Sequence, residues 1–283
     1  MRECFEESGI LLARGKDGAL LDVGAAEREE GRREVHGGRV PFGEWVARQG
    51  GSPDLGIFFF PNPPPFPLSS FLAIEDLGVL REGLGSEDGL VPFTRWITPP
   101  GAPKRFTTQM YLYLLPTTLP IDSAFSLPTP DGGLEHTSAE FAPASTWLAA
   151  HHARKITMFP PQYFLLTLLS SYFRAGGDVE AERRAFLEFL ARVPTSEDPR
   201  AREHFTSRIP WGEKVMSPRA LAGREDGSVV LGLDRPGKEV EEMGGGKGGD
   251  REWVVVVDLR KGGPLNYGVR NREEALAEDK GKL

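Results

Sequence analysis

Proline sets the first limit on how this chain can fold. Twenty-four prolines and 34 glycines are spread over 283 residues. Each proline fixes φ and lacks a backbone donor, so it suits helix starts and extended connections but not helix interiors or central strands. The chain is thereby cut into short elements joined by long loops. Pro41 opens an expected short helix to Gln49, with Phe42, Trp45 and Val46 on one side. Pro61-Asn62-Pro63-Pro64-Pro65 and Pro67 mark an extended, irregular connection. Pro99-Pro100-Gly101-Ala102-Pro103 is a rigid loop between two expected strands, Leu90 to Thr98 and Phe106 to Leu115. Another helix begins near Pro143. Pro160-Pro161 opens the strongest helix signal, running to about Phe173, with Tyr163, Phe164, Leu166, Leu169 and Phe173 close to a helical repeat.

The remaining segments carry weaker signals. Arg2 to Glu7 reads as a helix closed by Ser8-Gly9, and Ile10 to Ala13 as a short strand. Residues 14–39 are charged and glycine-rich. Glu27-Arg28-Glu29-Glu30 is followed at once by Gly31, so the stretch reads as a solvated loop or frayed helix. Leu134 to Phe141 is a weaker strand and Glu180 to Arg192 an amphipathic helix. After Pro194 the composition loosens, and Val229 to Leu233 and Trp253 to Leu259 read as strands of a small β-rich tail. Gly244 to Gly249 lies between them. It lacks the Gly-Lys-Ser/Thr ending of a phosphate-binding loop and is expected to be a flexible connection.

Composition narrows the function. Hydrophobic residues make up 39%, enough for a packed core. The formal net charge of -7 argues against a general binder of nucleic acid or anionic membranes. A phosphorylated substrate would then need a bound cation or a local basic cluster. Cys4 is the single cysteine, which excludes an internal disulfide and fits a reducing compartment. No apolar run approaches the roughly 18 residues of a membrane span. His151 and His152 are adjacent rather than four apart, so they cannot share one helix face, and solvent exposure is expected for them. Gly281-Lys282-Leu283 is one residue from the Ser-Lys-Leu peroxisomal signal, or a chance Lys-Leu ending; an intracellular protein is expected, with the peroxisome and the mitochondrion as candidate locations.

One string carries chemistry: Arg2-Glu3-Cys4-Phe5-Glu6-Glu7-Ser8-Gly9-Ile10. On a helix, Glu3, Glu6 and Glu7 stand at i, i+3 and i+4 and share a face. Three like charges in one turn repel unless something positive sits between them. Carboxylate oxygens suit Mg²⁺ or Mn²⁺, which can bridge phosphate oxygens and lower the pKa of a bound water. Arg2 is placed to hold a carboxylate through its planar fork. Most glutamate runs are simply solvated helix faces, and the spacing alone leaves that alternative open.

The whole string matches the pattern R-E-U-x-E-E-x-G-U of the Nudix hydrolases, with Cys4 and Ile10 in the aliphatic positions. Arg95-Trp96-Ile97-Thr98-Pro99, Lys104-Arg105-Phe106-Thr107-Thr108 and Phe159-Pro160-Pro161-Gln162-Tyr163-Phe164 resemble segments of that family's acyl-CoA diphosphatase branch. The resemblance covers residues 1–174 as a Nudix hydrolase domain and leaves 175–283 as a helical and β-rich extension. It implies an α/β fold: a Nudix-like mixed sheet with flanking helices, incomplete at the N-terminal side, plus a β-containing C-terminal tail. It implies that Glu3, Glu6 and Glu7 ligate Mg²⁺ or Mn²⁺, with Glu3 alternatively a base and Arg2 orienting it. Glu135 is the best match to a further carboxylate ligand, or else an ordinary strand-end glutamate. Arg105 is a substrate-phosphate contact or a plain surface arginine, and Trp96 a core residue or a base-stacking platform. The box's upstream half, G-x5-E, precedes the arginine in the family, and only Met1 does so here, so a truncated chain is expected. The implied activity is hydrolysis of nucleoside-diphosphate-linked compounds, with a small-molecule nucleotide such as CoA or an acyl-CoA as substrate. A catalytically impaired relic or interaction protein, and a Nudix enzyme acting on an ADP-sugar, are the alternatives.

Overall fold

The structure is a computed structural model that describes residues 1–54, 89–102, 104–115, 140–174, 176–235, 237, 246–259 and 263–280. The architecture is mixed α/β, as expected, with the described strands in three sheets and helices flanking them. The chain forms two compact units, Met1–Val91 with Tyr113–Phe141, and Pro92–Leu112 with Ala142–Leu283. The division falls within the strands expected at Leu90 to Thr98 and Phe106 to Leu115, and the C-terminal elements share a unit with the helices that follow Pro143 and Phe159.

The first unit holds α1 (Arg2–Ser8), β1 (Ala13–Gly15), α2 (Ala25–His36), α3 (Phe42–Arg48) and β2 (Gly51–Pro53). β1 and β2 pair antiparallel, Ala13 opposite Pro53. The expected strand at Ile10 to Ala13 is displaced: Leu11 and Leu12 are buried, and pairing begins only at Ala13. Phe5, Leu11, Val23, Val35, Phe42, Trp45 and Val46 build one core. Phe5 stacks on Trp45 with ring centroids 4.8 Å apart. α2 corrects the expectation of a solvated loop or frayed helix, being a helix from Ala25 to His36. Its Gly31 does not break the helix, because the position is a socket: a Cβ there would lie 2.1 Å from Trp45 Cε2. Losing that side chain lets the indole approach the backbone, and the contact outweighs glycine's helix cost of about 1 kcal/mol.

The second unit contains most of β3 (Gly89–Ile97) and β4 (Thr107–Leu114), then α4 (Ala144–His152), α5 (Pro160–Tyr172), α6 (Val179–Ala191) and α7 (Pro199–Glu203). It continues through β5 (Val215–Met216), β6 (Arg219–Gly223), β7 (Val229–Leu233), β8 (Asp250–Asp258), β9 (Leu265–Asn271) and α8 (Arg272–Lys280). The expected strands, hairpin and proline-opened helices are present here to within a few residues. β4, β3 and β5 form one sheet in that order, with β5 parallel to β3 at Arg95↔Val215. The β3–β4 loop is closed by Thr98 N–H donating to Phe106 O at 2.9 Å.

β6 to β9 form an antiparallel sheet in sequence order. Val254 to Val257 of β8 are all buried, so this central strand is covered on both faces, and Ala275 of α8 joins Val230, Val254 and Val256 on one of them. An aromatic cluster joins the helices: Trp211 lies 5.1 Å from Phe189, 5.7 Å from Phe93 and 6.3 Å from Phe164.

The glycine run is not simply flexible. Among its described residues, Gly248 and Gly249 are buried, and a Cβ at Gly249 would meet Leu233 O at 1.8 Å. Lys214, fully buried, is held beside it: Nζ donates to Thr206 O at 2.9 Å and Gly249 O at 3.2 Å, and pairs with Asp250 at 3.1 Å. The segments expected at Pro61 to Pro67 and at residues 134–139, and the C-terminal tripeptide, lie outside the described residues.

Candidate functional site

The glutamate string folds as a helix. α1 runs from Arg2 to Ser8 and ends at Gly9, whose φ of 71° is the left-handed value that glycine adopts freely, with its N–H returning to Phe5 O. Ser8 Oγ donates to Cys4 O at 2.6 Å and accepts from Ile10 N–H at 3.3 Å, which steers the chain out of the turn. Phe5 anchors the apolar side in the core. Arg2 reaches Glu3 at 3.6 Å and Glu6 at 3.8 Å. The Glu3 side chain is largely exposed, whereas that of Glu6 is only 10% exposed, and its Oε1 is buried without a hydrogen bond.

Arg32 of α2 completes this arrangement, and nothing in the sequence pointed to it. Its buried guanidinium donates from Nε to Glu6 O at 2.6 Å and from Nη2 to Glu7 O. Those carbonyls belong to the last turn of α1 and have no partner within the helix, so a cation aimed at them satisfies both their hydrogen bonds and the helix dipole. The arginine stands 26 residues from Glu6 inside a charged stretch, and only the folded α2 brings it there.

The remaining expected residues are Arg105, Glu135, Trp96 and Cys4. Arg105 belongs to the second unit, is exposed and donates to Thr98 O at 3.0 Å. Glu135 lies outside the described residues. Trp96 is core rather than a stacking platform: it is buried, meets Phe164 edge-on at 5.8 Å, and donates from Nε1 to Thr94 Oγ1 at 2.9 Å. Cys4 is half-buried with its Sγ 3.6 Å from Ser8 Oγ.

His151 reverses its expected exposure, for it is buried against β9, while His152 is exposed and meets Tyr163 OH at 3.1 Å. Among the described residues no three histidine, cysteine, aspartate or glutamate side chains converge as a metal centre. Glu3, Glu6 and Glu7 therefore have the spacing for a divalent cation but, as placed, do not fit one.

No family model matches the chain, and no curated protein matches it. The NUDIX hydrolase from Alicyclobacillus acidocaldarius is a similar solved structure, with 20% identity and a TM-score of 0.42 over 65% of this chain. The match spans 62% of that structure's length.

Proposed function

We propose that this chain is a Nudix-type hydrolase acting on a nucleoside-diphosphate-linked compound, with CoA or an acyl-CoA as the first substrate to try. The observation that carries the reading is α1. The residues of the R-E-U-x-E-E-x-G-U string form a helix closed by left-handed Gly9, with Phe5 in the core and Arg2 reaching both Glu3 and Glu6. In this reading the carboxylates of Glu3, Glu6 and Glu7, which do not converge as placed, would turn to share Mg²⁺ or Mn²⁺, joined by Glu135, with Arg2 orienting Glu3. A divalent ion there would supply charge neutralisation at the diphosphate. The overall reaction adds water across one P–O–P bond and releases two phosphate monoesters. For CoA one of these is 3′,5′-ADP, which separates it from ADP-sugar substrates in a product analysis.

A second reading has its own observation. Arg2 already spans Glu3 and Glu6, and no three acidic groups converge among the described residues. That arrangement suits a scaffold kept for interaction after catalysis was lost. Calorimetric titration of the full chain with Mn²⁺ distinguishes the two. Saturable binding that weakens in Glu6→Gln, together with turnover abolished by the same change and folding retained, supports the hydrolase. No saturable binding and no release of phosphate monoesters support the scaffold. Unchanged turnover in Glu6→Gln would mean that the chemistry lies elsewhere.

A further inference from the structure

We propose that His151 is an acid-labile pin, whose neutral imidazole fastens the C-terminal end of α4 to the start of β9 and whose protonation releases that junction. The side chain is 1% exposed. Its Nε2 faces the backbone N–H of Asn266 at 3.0 Å and the same residue's Nδ2 at 3.3 Å. A backbone N–H can only donate, so Nε2 must be the acceptor and the ring proton sits on Nδ1. Nδ1 in turn faces the carbonyl of Ile156 at 3.3 Å, which accepts that proton. The Asn266 Nδ2 also donates to Met158 O at 2.8 Å, which holds the amide with its nitrogen toward the histidine.

A second proton on the ring would go to Nε2, where it would point at the two N–H donors of Asn266. Among the described residues the cation would also be buried without an anionic partner. From its own helix and the turn that follows, the charges bearing on it are His152 and Arg154, and both oppose a further positive charge. From α5 it meets the neutral phenol of Tyr163, with ring centroids 5.4 Å apart, and from β9 the uncharged Asn266. Burial first, and then these neighbours, hold the imidazole below its ordinary value near 6.5, even though the Ile156 carbonyl favours protonation. The geometry therefore stores an acid response: each proton taken up replaces two accepted hydrogen bonds by an unpaired buried cation.

The consequence falls on β9. It is an edge strand, bonded to β8 on one side, and it runs directly into α8. Loss of the histidine acceptor frees its first turn of ladder from α4, at a point 115 residues distant in sequence.

Amide hydrogen exchange of Asn266 in the full chain, expressed as a protection factor to remove the intrinsic pH dependence, reads this event. On going from about pH 7.5 to about pH 5, the wild-type factor should fall about tenfold. In His151→Gln, whose side-chain oxygen accepts in place of Nε2 but cannot become a cation, the factor should stay level over the same range. Unchanged wild-type protection, or an equal loss in His151→Gln, overturns the proposal. Should His151→Gln fail to fold, the ¹⁵N shifts of the wild-type histidines decide it. The proposal requires a Nδ1–H tautomer for His151 and a titration midpoint below the ordinary imidazole value near 6.5; a Nε2–H tautomer or a midpoint at or above that value rules it out.

Discussion

Single atoms decide more of this fold than the residue classes suggest. Gly31 is the clearest case, because only a hydrogen fits between the α2 backbone and the Trp45 indole. Gly31→Ala would raise intrinsic helix propensity and yet should destabilise the first unit by about 1–3 kcal/mol through overpacking. Urea denaturation read from that unit checks it, and a gain in stability would mean the indole has room to move. The same residue shows why part of the sequence was illegible. A glycine after four charged residues is a helix-stopper by every local rule, and its partner is a tryptophan on another helix. His151 is similar: nothing beside it announces burial, which depends on Asn266 in a distant strand. Arg32, likewise, was indistinguishable from the arginines around it until α2 placed it under the carbonyls of Glu6 and Glu7.

Elements whose signals are local were legible. α3, α4 and α5 start at or beside prolines, where the fixed φ and the missing donor act within one turn, and the structure starts them within a residue or two of expectation. α1 was legible for the same reason, down to its glycine cap. The candidate site was legible only as spacing, since convergence of carboxylates is a matter of side-chain direction and of partners that the string does not contain.

The tail was read too weakly. Its four strands are tied to the preceding segment by Lys214, whose ammonium is lowered in pKa by burial while Asp250 works to keep it charged. Asp250 also accepts from Glu252 and Trp253 N–H at 3.0 and 2.9 Å, so it cannot turn away when its partner is lost. Lys214→Met should therefore cost about 3–5 kcal/mol, the penalty of leaving one buried charge alone. Adding Asp250→Asn should restore a good part of it. The midpoint of chemical denaturation reads both, and a single variant costing less than about 1 kcal/mol would show the pair to be expendable.

At the scale of the whole molecule, pH acts on the two units unequally. His151 and His204 both lie in the second unit, and burial lowers each below the ordinary imidazole value. Burial pushes the Asp234 carboxyl up, but hydrogen bonds and charge from Arg272 and Arg251 outweigh it and hold the group below its ordinary value. All three depressed values have one sign. The unfolded chain binds protons that the folded unit resists, so the stability they contribute is present above the unfolded values and is lost as pH falls through the folded ones. The histidines act first, below about pH 6.5, and a single buried one contributes up to about 1.4 kcal/mol per pH unit over its window. Asp234 follows below its ordinary 3.8. Peptide-level hydrogen exchange between about pH 7 and about pH 5 should accordingly show protection falling in residues 142–280 before it falls in residues 1–54. The reverse order would count against both histidines.

The contact between Phe5 and Trp45 has a practical consequence. It puts a natural fluorophore against the back of the acidic helix, gripped by Gly31 on the neighbouring element. Whatever lifts α1, whether a captured cation, a docked ligand or a frayed first turn, changes the wetting of that indole and hence the colour of its emission. The chain thus carries its own label-free optical gauge of the one segment on which its proposed chemistry depends.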